Sequence, residues 1–149
     1  MPGGFGSNQD QSPCPCGGGM YGSCCGPLHR GDQRAISAEQ LMRSRYSAFV
    51  QQKVDYLLAT HLEDDIPSAE RRRALRITCR QVRWRGLRIL ATERGRRNDR
   101  DGVVKFEACY KGGILRETSL FQRRGDHFEG DWLYIKALKS DDNEFMIST

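Results

Sequence analysis

The sequence predicts an α+β fold in which N-terminal helices pack on a curved antiparallel sheet, preceded by a small cysteine-rich segment. Apolar residues recur at helical spacing from residue 37 to residue 80, and from residue 82 onward they alternate with a period of two. Four of the six cysteines fall between residues 14 and 25. Helices followed by a run of strands are typical of α+β domains, because each layer buries its apolar face against the other.

Length and composition indicate one compact domain with a small appendage. The chain has 149 residues, of which 38% are apolar, enough for a single core. No apolar run is long enough to span a membrane. The first twelve residues lack the basic and apolar regions of a secretory signal, so we expect a cytoplasmic protein whose thiols stay reduced.

The net charge of +5 comes from 24 basic and 19 acidic residues. Arginine accounts for 19 of the basic residues, and such side chains neutralise phosphates. The excess is compatible with a nucleic-acid or ribosomal partner. It is equally compatible with an ordinary solvated surface, because acidic residues are interleaved with the basic ones.

Residues 1–13 are polar and glycine-rich, and we predict a disordered lead-in. Residues 14–27 contain five glycines and two prolines and cannot form an apolar core, so a cross-link must hold them. A Cys-Pro-Cys pair and an adjacent Cys-Cys pair are poorly placed for disulfide geometry. Four thiolates suit a tetrahedral zinc ion, which supplies the folding energy of such small segments. The predicted zinc ligands are Cys14, Cys16, Cys24 and Cys25.

Two alternatives remain open for this segment. His29 lies close enough in sequence to replace Cys24 or Cys25 as the fourth ligand. The segment could also be a flexible tail with reduced thiols. If a metal is bound, the chain must turn tightly around it, and we expect positive φ angles at the glycines of the segment. These glycines are Gly17, Gly18, Gly19 and Gly22.

Three helices follow. Ser37 and Gln40 form a capping box for the first, whose apolar face carries Met42, Tyr46, Phe49 and Val50; Arg43 and Arg45 beside it are expected at the surface. Asp55 is expected to cap a short second helix over residues 55–60, which His61 ends in a structural role. Ser68 is expected to cap the third. That helix is the most basic element, and any polyanion would bind there, through Arg71, Arg72, Arg73 and Arg76.

The alternating pattern predicts four antiparallel strands over residues 84–92, 103–111, 114–123 and 128–135. The charged connection 95–102 is predicted to be a mobile, exposed hairpin. Residues after 138 are predicted to fray, apart from possible docking of Phe145 and Met146.

A carboxylate stands out among the inward positions of the sheet. Alternation places Glu117 between apolar neighbours, where burial could raise its pKa and make it a base in a cavity. The favoured alternative is a structural ion pair with Arg43, Arg45 or Arg116. Trp132 and Tyr134 are expected in the core, and Cys79 and Cys109 as free cysteines. The predicted pocket residues are Tyr46, Trp84, Tyr110 and Glu117.

The order of motifs resembles known families. Cys14-Pro15-Cys16-Gly17 and Cys24-Cys25-Gly26-Pro27 are similar to the SEC-C motif, the zinc knuckle at the C-terminus of the SecA translocation ATPase. Segments 38–50, 55–61, 84–87 and 117–121 resemble the YchJ-like family of bacterial proteins. The resemblance implies a SEC-C zinc knuckle at 14–30, a cone-shaped domain similar to nuclear transport factor two at 36–138, and a polar tail at 139–149.

Two functions are compatible with this resemblance. The preferred hypothesis is a non-enzymatic zinc-binding adaptor whose knuckle binds a protein partner related to the ribosome or to secretion, as the knuckle of SecA-like proteins does. The chain departs from many SEC-C knuckles in having no lysine between Cys16 and Cys24. The alternative is a small-molecule receptor or enzyme with Glu117 in the pocket of the cone.

Overall fold

The computed structural model describes residues 8–140 and confirms the predicted α+β fold. The helices are α1 (Gly26–His29), α2 (Ala38–Gln51), α3 (Val54–Ala59) and α4 (Ser68–Gln81), and the strands are β1 (Trp84–Arg94), β2 (Asp101–Tyr110), β3 (Gly113–Arg123) and β4 (Trp132–Ser140). The four strands form one antiparallel sheet in the order β1-β2-β3-β4, and α2 packs against β1, β2 and β4. Among residues 8–140, no helix has both the length and the apolar composition of a membrane span.

Helix α2 is the central element and begins as its sequence predicts. The Ser37 hydroxyl accepts a hydrogen bond from the Gln40 amide at 3.1 Å, and the Gln40 side chain accepts one from the Ile36 amide at 2.7 Å. The helix ends where Gln52 adopts a left-handed φ of 59°. The expected surface position of Arg45 is wrong: its side chain is buried, because this helix is covered on nearly every side.

The other two predicted caps are wrong. Lys53 precedes α3, and Asp55 lies inside the first turn, where its carboxylate pairs with Arg72. Pro67 occupies the N-cap position of α4, and Ser68 is the first helical residue. Neither helix has a side-chain cap, so acidic groups in the first turn are the local stabilising feature of both.

The inner face of the sheet follows the predicted alternation. Val104, Phe106 and Ala108 on β2 are buried, as are alternate β3 side chains from Leu115 to Phe121. This face forms one core with α2. The two neighbouring strands are in register, with Phe106 opposite Glu117.

The last strand begins later than predicted. Residues 124–126 form a tight 3-10 turn with positive φ at Gly125 and Asp126, and Phe128 is exposed rather than part of a strand. Strand β4 starts at Trp132, which is buried as expected. Its pairing with β3 extends to Ser140, and the predicted docking of Phe145 and Met146 lies outside the described residues.

The hairpin between β1 and β2, which the sequence predicts to be mobile, is tied to the body by a buried arginine. Arg123 donates hydrogen bonds to the carbonyl oxygens of Asp99 and Arg97, both at 2.8 Å, and of Gly130 at 3.1 Å. Its guanidinium lies 4.5 Å from the ring centroid of Trp132. One side chain therefore fixes two loops at the same end of the sheet.

Candidate metal centre

The segment of residues 14–30, hereafter the knuckle, folds through short local turns. The Cys14 amide donates to the Gly19 carbonyl at 2.6 Å, and the Gly17 amide donates to the Cys14 carbonyl at 3.0 Å, which turns the chain back on itself. A 3-10 turn at Tyr21–Ser23 and then α1 complete the segment. Residues 8–11, within the predicted lead-in, form a further 3-10 turn beside it.

This folding brings the four predicted ligands together. The Sγ atoms of Cys14, Cys16, Cys24 and Cys25 all lie within 4.8 Å of one another. Cys16 Sγ is 3.4 Å from Cys24 Sγ and 3.7 Å from Cys25 Sγ. Zinc–sulfur bonds of about 2.3 Å in a tetrahedron separate the sulfurs by about 3.8 Å, so the observed spacing fits such an ion. Four thiols at this spacing could hold a metal ion.

Glycine is needed at this centre for two different reasons. Gly17 and Gly19 have φ angles of +83° and +128°, as expected for a chain that turns around an ion. Gly18 lacks a positive φ, but a Cβ there would lie 2.9 Å from Cys24 Sγ and 3.2 Å from Cys16 Sγ. The predicted positive φ is therefore wrong at Gly18. It is also wrong at Gly22, which packs against Asp10.

The cluster is buried, and hydrogen bonds between its thiols together with burial shift the pKa values of its cysteines. Cys16 and Cys25 are each 1% exposed, and only Cys24 is half-buried. Hydrogen bonding from Cys16 and Cys25 lowers the pKa of Cys14, whereas burial raises the pKa of Cys24 to about 12. Hydrogen bonds from Cys14 and Cys16 raise the pKa of Cys25. Crowded thiolates repel one another, so full deprotonation of the four requires a cation among them.

Helix α2 supplies the groups that surround the sulfurs, and the sequence analysis missed them. The Ser47 hydroxyl lies 3.4 Å from Cys14 Sγ and donates to Cys25 Sγ at 3.3 Å. One turn earlier, Arg43 donates to the Cys16 carbonyl at 2.9 Å. The sequence pattern that could have predicted these contacts is the spacing of Arg43 and Ser47, two polar residues four positions apart on a helix with a large apolar face.

His29 joins the knuckle to α2. Its Nε2 donates to the Ser44 carbonyl at 2.8 Å, so Nδ1 is unprotonated and accepts from the Tyr21 hydroxyl at 2.6 Å. Burial lowers the pKa of His29, which favours this neutral form. Both ring nitrogens are thus engaged outside the sulfur cluster.

The predicted pocket residues separate into two groups. Tyr46 and Tyr110 flank Trp84, with ring centroids 5.8 and 5.9 Å from it. Glu117 lies on β3, four residues along the strand from Gly113, which pairs with Tyr110. Four clefts open on the surface of residues 8–140, and none of them is lined by these four residues.

Glu117 is held by neutral hydroxyl groups inside the core. Ser119 and Tyr134 donate to its Oε2 at 2.6 and 3.3 Å. Burial raises its pKa, while these bonds and the nearby Arg45 charge oppose the rise. Of the other predicted ion-pair partners, Arg43 pairs with Glu39 and Arg116 with Glu107. A catalytic role for Glu117 stays a prediction.

Comparison with known proteins agrees with this architecture. Residues 37–137 match the family model described as the YchJ middle NTF2-like domain. The chain is 42% identical to UPF0225 protein SCO1677 of Streptomyces coelicolor over 136 residues, covering 90% of this chain and 96% of the relative. It is 40% identical over 135 residues to a UPF0225 protein of Chromobacterium violaceum, covering 87% and 95%.

Two solved structures are also similar. A SEC-C motif containing protein from Psychrobacter arcticus superposes with a TM-score of 0.70 at 27% identity, covering 87% of this chain and 83% of the other. A SEC-C motif containing protein from Rhodopseudomonas palustris gives a TM-score of 0.68 at 28% identity, covering 85% and 97%. The chain therefore belongs to the YchJ-like UPF0225 family, in which a SEC-C motif precedes an NTF2-like domain.

Proposed function

We propose that this protein is a non-enzymatic adaptor in which a zinc ion, held by the four knuckle cysteines, fixes a protein-binding loop on the NTF2-like domain. One observation carries the proposal: four Sγ atoms converge within 4.8 Å of one another against α2. A site closed by four protein thiolates has no open position for a substrate, and closed sites of this type are structural.

Zinc is the expected metal because of the donors. Four thiolates in a tetrahedral arrangement select zinc or an iron–sulfur centre among the common biological metals. The cluster has four cysteines within a compact segment, and their sulfurs lie within 4.8 Å of one another, which suits one ion. When bound, the ion would supply folding energy to the knuckle, which has little apolar surface of its own.

The exposed face of the knuckle is the proposed partner surface. Residues 17–20 are exposed, and Met20 at their end is 53% exposed. The three glycines let a partner approach the backbone closely, and a methionine side chain adapts to apolar surfaces. The loop carries no charged residue, so we expect contacts made by the backbone and by Met20.

Metal analysis of the freshly purified protein tests the first half of the proposal. We expect close to one equivalent of zinc per chain, lost in Cys16→Ser and retained in Cys79→Ala, since Cys79 is a buried free thiol outside the cluster. Less than about half an equivalent of zinc in the wild type contradicts a structural zinc site. Iron in place of zinc would refute the assignment of the metal.

Site-specific photo-cross-linking in cells tests the second half. A cross-linker at Met20 should capture a protein partner that is also recovered with the purified, metal-loaded chain and lost in Cys16→Ser. The matched control carries the cross-linker at Leu138, which is apolar and 50% exposed. Equal capture at both positions, or capture that survives loss of the metal, argues against the adaptor role.

A further inference from the structure

A basic cleft of about 690 Å³ lies between α4 and the junction of α2 with α3. Four cationic side chains line it: Lys53 at the junction, and Arg72, Arg76 and Arg80 on α4. We call these four residues and the space between them the basic cleft. It lies outside the sulfur cluster, although His29 forms part of its wall.

The three arginines form a regular row. They are four residues apart on α4, so they lie on one face of the helix at intervals of about 6 Å along its axis. The α4 arginines predicted to bind a polyanion do not all lie on the same side of the helix. Arg71 is buried on another side of α4, where its guanidinium pairs with Asp64, whereas Arg80 lines the cleft together with Arg72 and Arg76.

The positive charge of the cleft is poorly compensated. Asp55 is the only carboxylate in the lining, and it pairs with Arg72. Within residues 8–140, neither Lys53 nor Arg76 nor Arg80 forms an ion pair with a carboxylate. Like charges held this close repel one another, and a bound polyanion relieves that repulsion.

The lining also indicates which anion fits. The apolar surface comes from Val54, which is buried, and Tyr56, whose hydroxyl lies 2.7 Å from Ser44 Oγ. Protein segments usually add buried side-chain anchors to their charge contacts, and Val54 and Tyr56 are the only apolar or aromatic residues besides His29 in this lining, which favours a nucleic acid over an acidic protein segment. Guanidinium groups match phosphate geometry, and phosphate contacts alone supply sequence-independent nucleic-acid binding.

We infer that the basic cleft binds the phosphate backbone of a single-stranded nucleic acid. A row of arginines on one wall and Lys53 on the other suits one strand, whose successive phosphates would meet successive side chains. The cationic side chains of the cleft are directed to phosphates and carry no base code, so we expect binding that is independent of sequence. The site does not depend on the adaptor role proposed for the knuckle.

Fluorescence anisotropy with labelled 20-nucleotide oligouridine and oligothymidine tests the inference on the full, metal-loaded chain. Four phosphate contacts predict a slope of about −2.8 in a plot of log affinity against log salt, at about −0.7 for each neutralised phosphate of a single strand. The double variant Arg76→Gln/Arg80→Gln should weaken binding by roughly tenfold or more at low salt and halve that slope to about −1.4.

The matched control is Arg96→Gln/Arg97→Gln, which removes two charges from the exposed hairpin at the other end of the sheet. It should leave affinity within about twofold of the wild type. Thermal unfolding of both variants verifies that they fold.

Either strand binding with these effects supports the inference. Three results overturn it: no oligonucleotide binding by the wild type at low salt, equal losses in the two double variants, or tighter binding of poly-glutamate than of either strand. The last would assign the cleft to an acidic protein segment.

Discussion

Ser47, at the centre of α2, donates a hydrogen bond to the Sγ of Cys25 at 3.3 Å, and both side chains are buried. The contact joins residues 22 positions apart and unites the knuckle with the NTF2-like domain. Three of the knuckle cysteines belong to the same buried cluster as the α2 and sheet residues. The cysteine cluster is therefore part of the domain core and not an appendage on a linker.

Removing the metal should destabilise the whole domain. Trp84 and Trp132 both lie in the helix-and-sheet domain, so their fluorescence reports on its unfolding. Chelation should lower the unfolding free energy by about 4 kcal/mol relative to protein with free zinc at a thousand times its dissociation constant. Urea unfolding followed by tryptophan fluorescence measures this. An unchanged tryptophan transition would indicate an independent knuckle.

Replacing Ser47 should weaken metal binding without removing a ligand. In Ser47→Ala, the sulfurs of Cys14 and Cys25 lose a hydroxyl partner, and partners of this kind typically contribute about tenfold or more in metal affinity. Competition with a chromophoric chelator measures the affinity. The control is Ser68→Ala on the exposed start of α4, and an equal affinity in both variants would contradict the prediction.

Adding one methyl group beside the sulfurs should also impair the site. The Cβ of Gly18→Ala would lie 2.9 Å from Cys24 Sγ, closer than such contacts allow, so the ligands must move apart. We expect roughly tenfold weaker zinc binding in the same competition assay. Gly86→Ala is the matched control, since a Cβ there meets nothing within 4 Å. Comparable losses in both variants would point to a general effect on folding.

The buried carboxylate predicts a pH dependence with a definite sign. Burial raises the pKa of Glu117, so the folded state favours its protonated form. The stability it contributes is fully present below its unfolded pKa and is lost as the pH rises through the folded pKa. The unfolding free energy of the wild type minus that of Glu117→Gln should therefore fall as the pH rises above the ordinary glutamate pKa of about 4.3.

Urea unfolding at a series of pH values measures that difference. Ser119→Ala provides a second comparison. In the wild type, the Ser119 hydroxyl donates to Glu117 and favours the charged carboxylate, so removing that hydroxyl should raise the Glu117 pKa further. A difference that rises with pH would mean that the carboxylate is stabilised in its charged form, through the charge of Arg45.

Arg123 should contribute far more to the unfolding free energy than Arg124, its neighbour in sequence. Arg123→Ala leaves three carbonyl groups without their donor and removes the contact with Trp132, at an expected cost of about 2 to 4 kcal/mol. Arg124→Ala removes only an exposed pair with Glu63 and should cost about 1 kcal/mol or less. Chemical denaturation measures both. Equal costs would show that the loops hold without Arg123.

Local chemistry made much of the fold predictable. The helical period between residues 37 and 80, the alternation after residue 82 and the capping pair Ser37 and Gln40 are properties of short segments, and the α+β fold follows from them. The four cysteines identify the candidate metal site for the same reason, because they are close together in sequence. The late start of β4 was less predictable, since the preceding connection is held by contacts distant in sequence, such as the hydrogen bond from Arg34 to the Glu129 carbonyl.

The sequence by itself determined the fold class and the four cysteines of the candidate metal site, because both are encoded within a few neighbouring residues. Only the tertiary structure decided which surroundings those groups receive. The burial of Arg45, the contact of Ser47 with Cys25 and the division of the α4 arginines between two sides of the helix all depend on how α2 and α4 are rotated against their neighbours. That rotation is set by packing across the whole core, which no local pattern specifies.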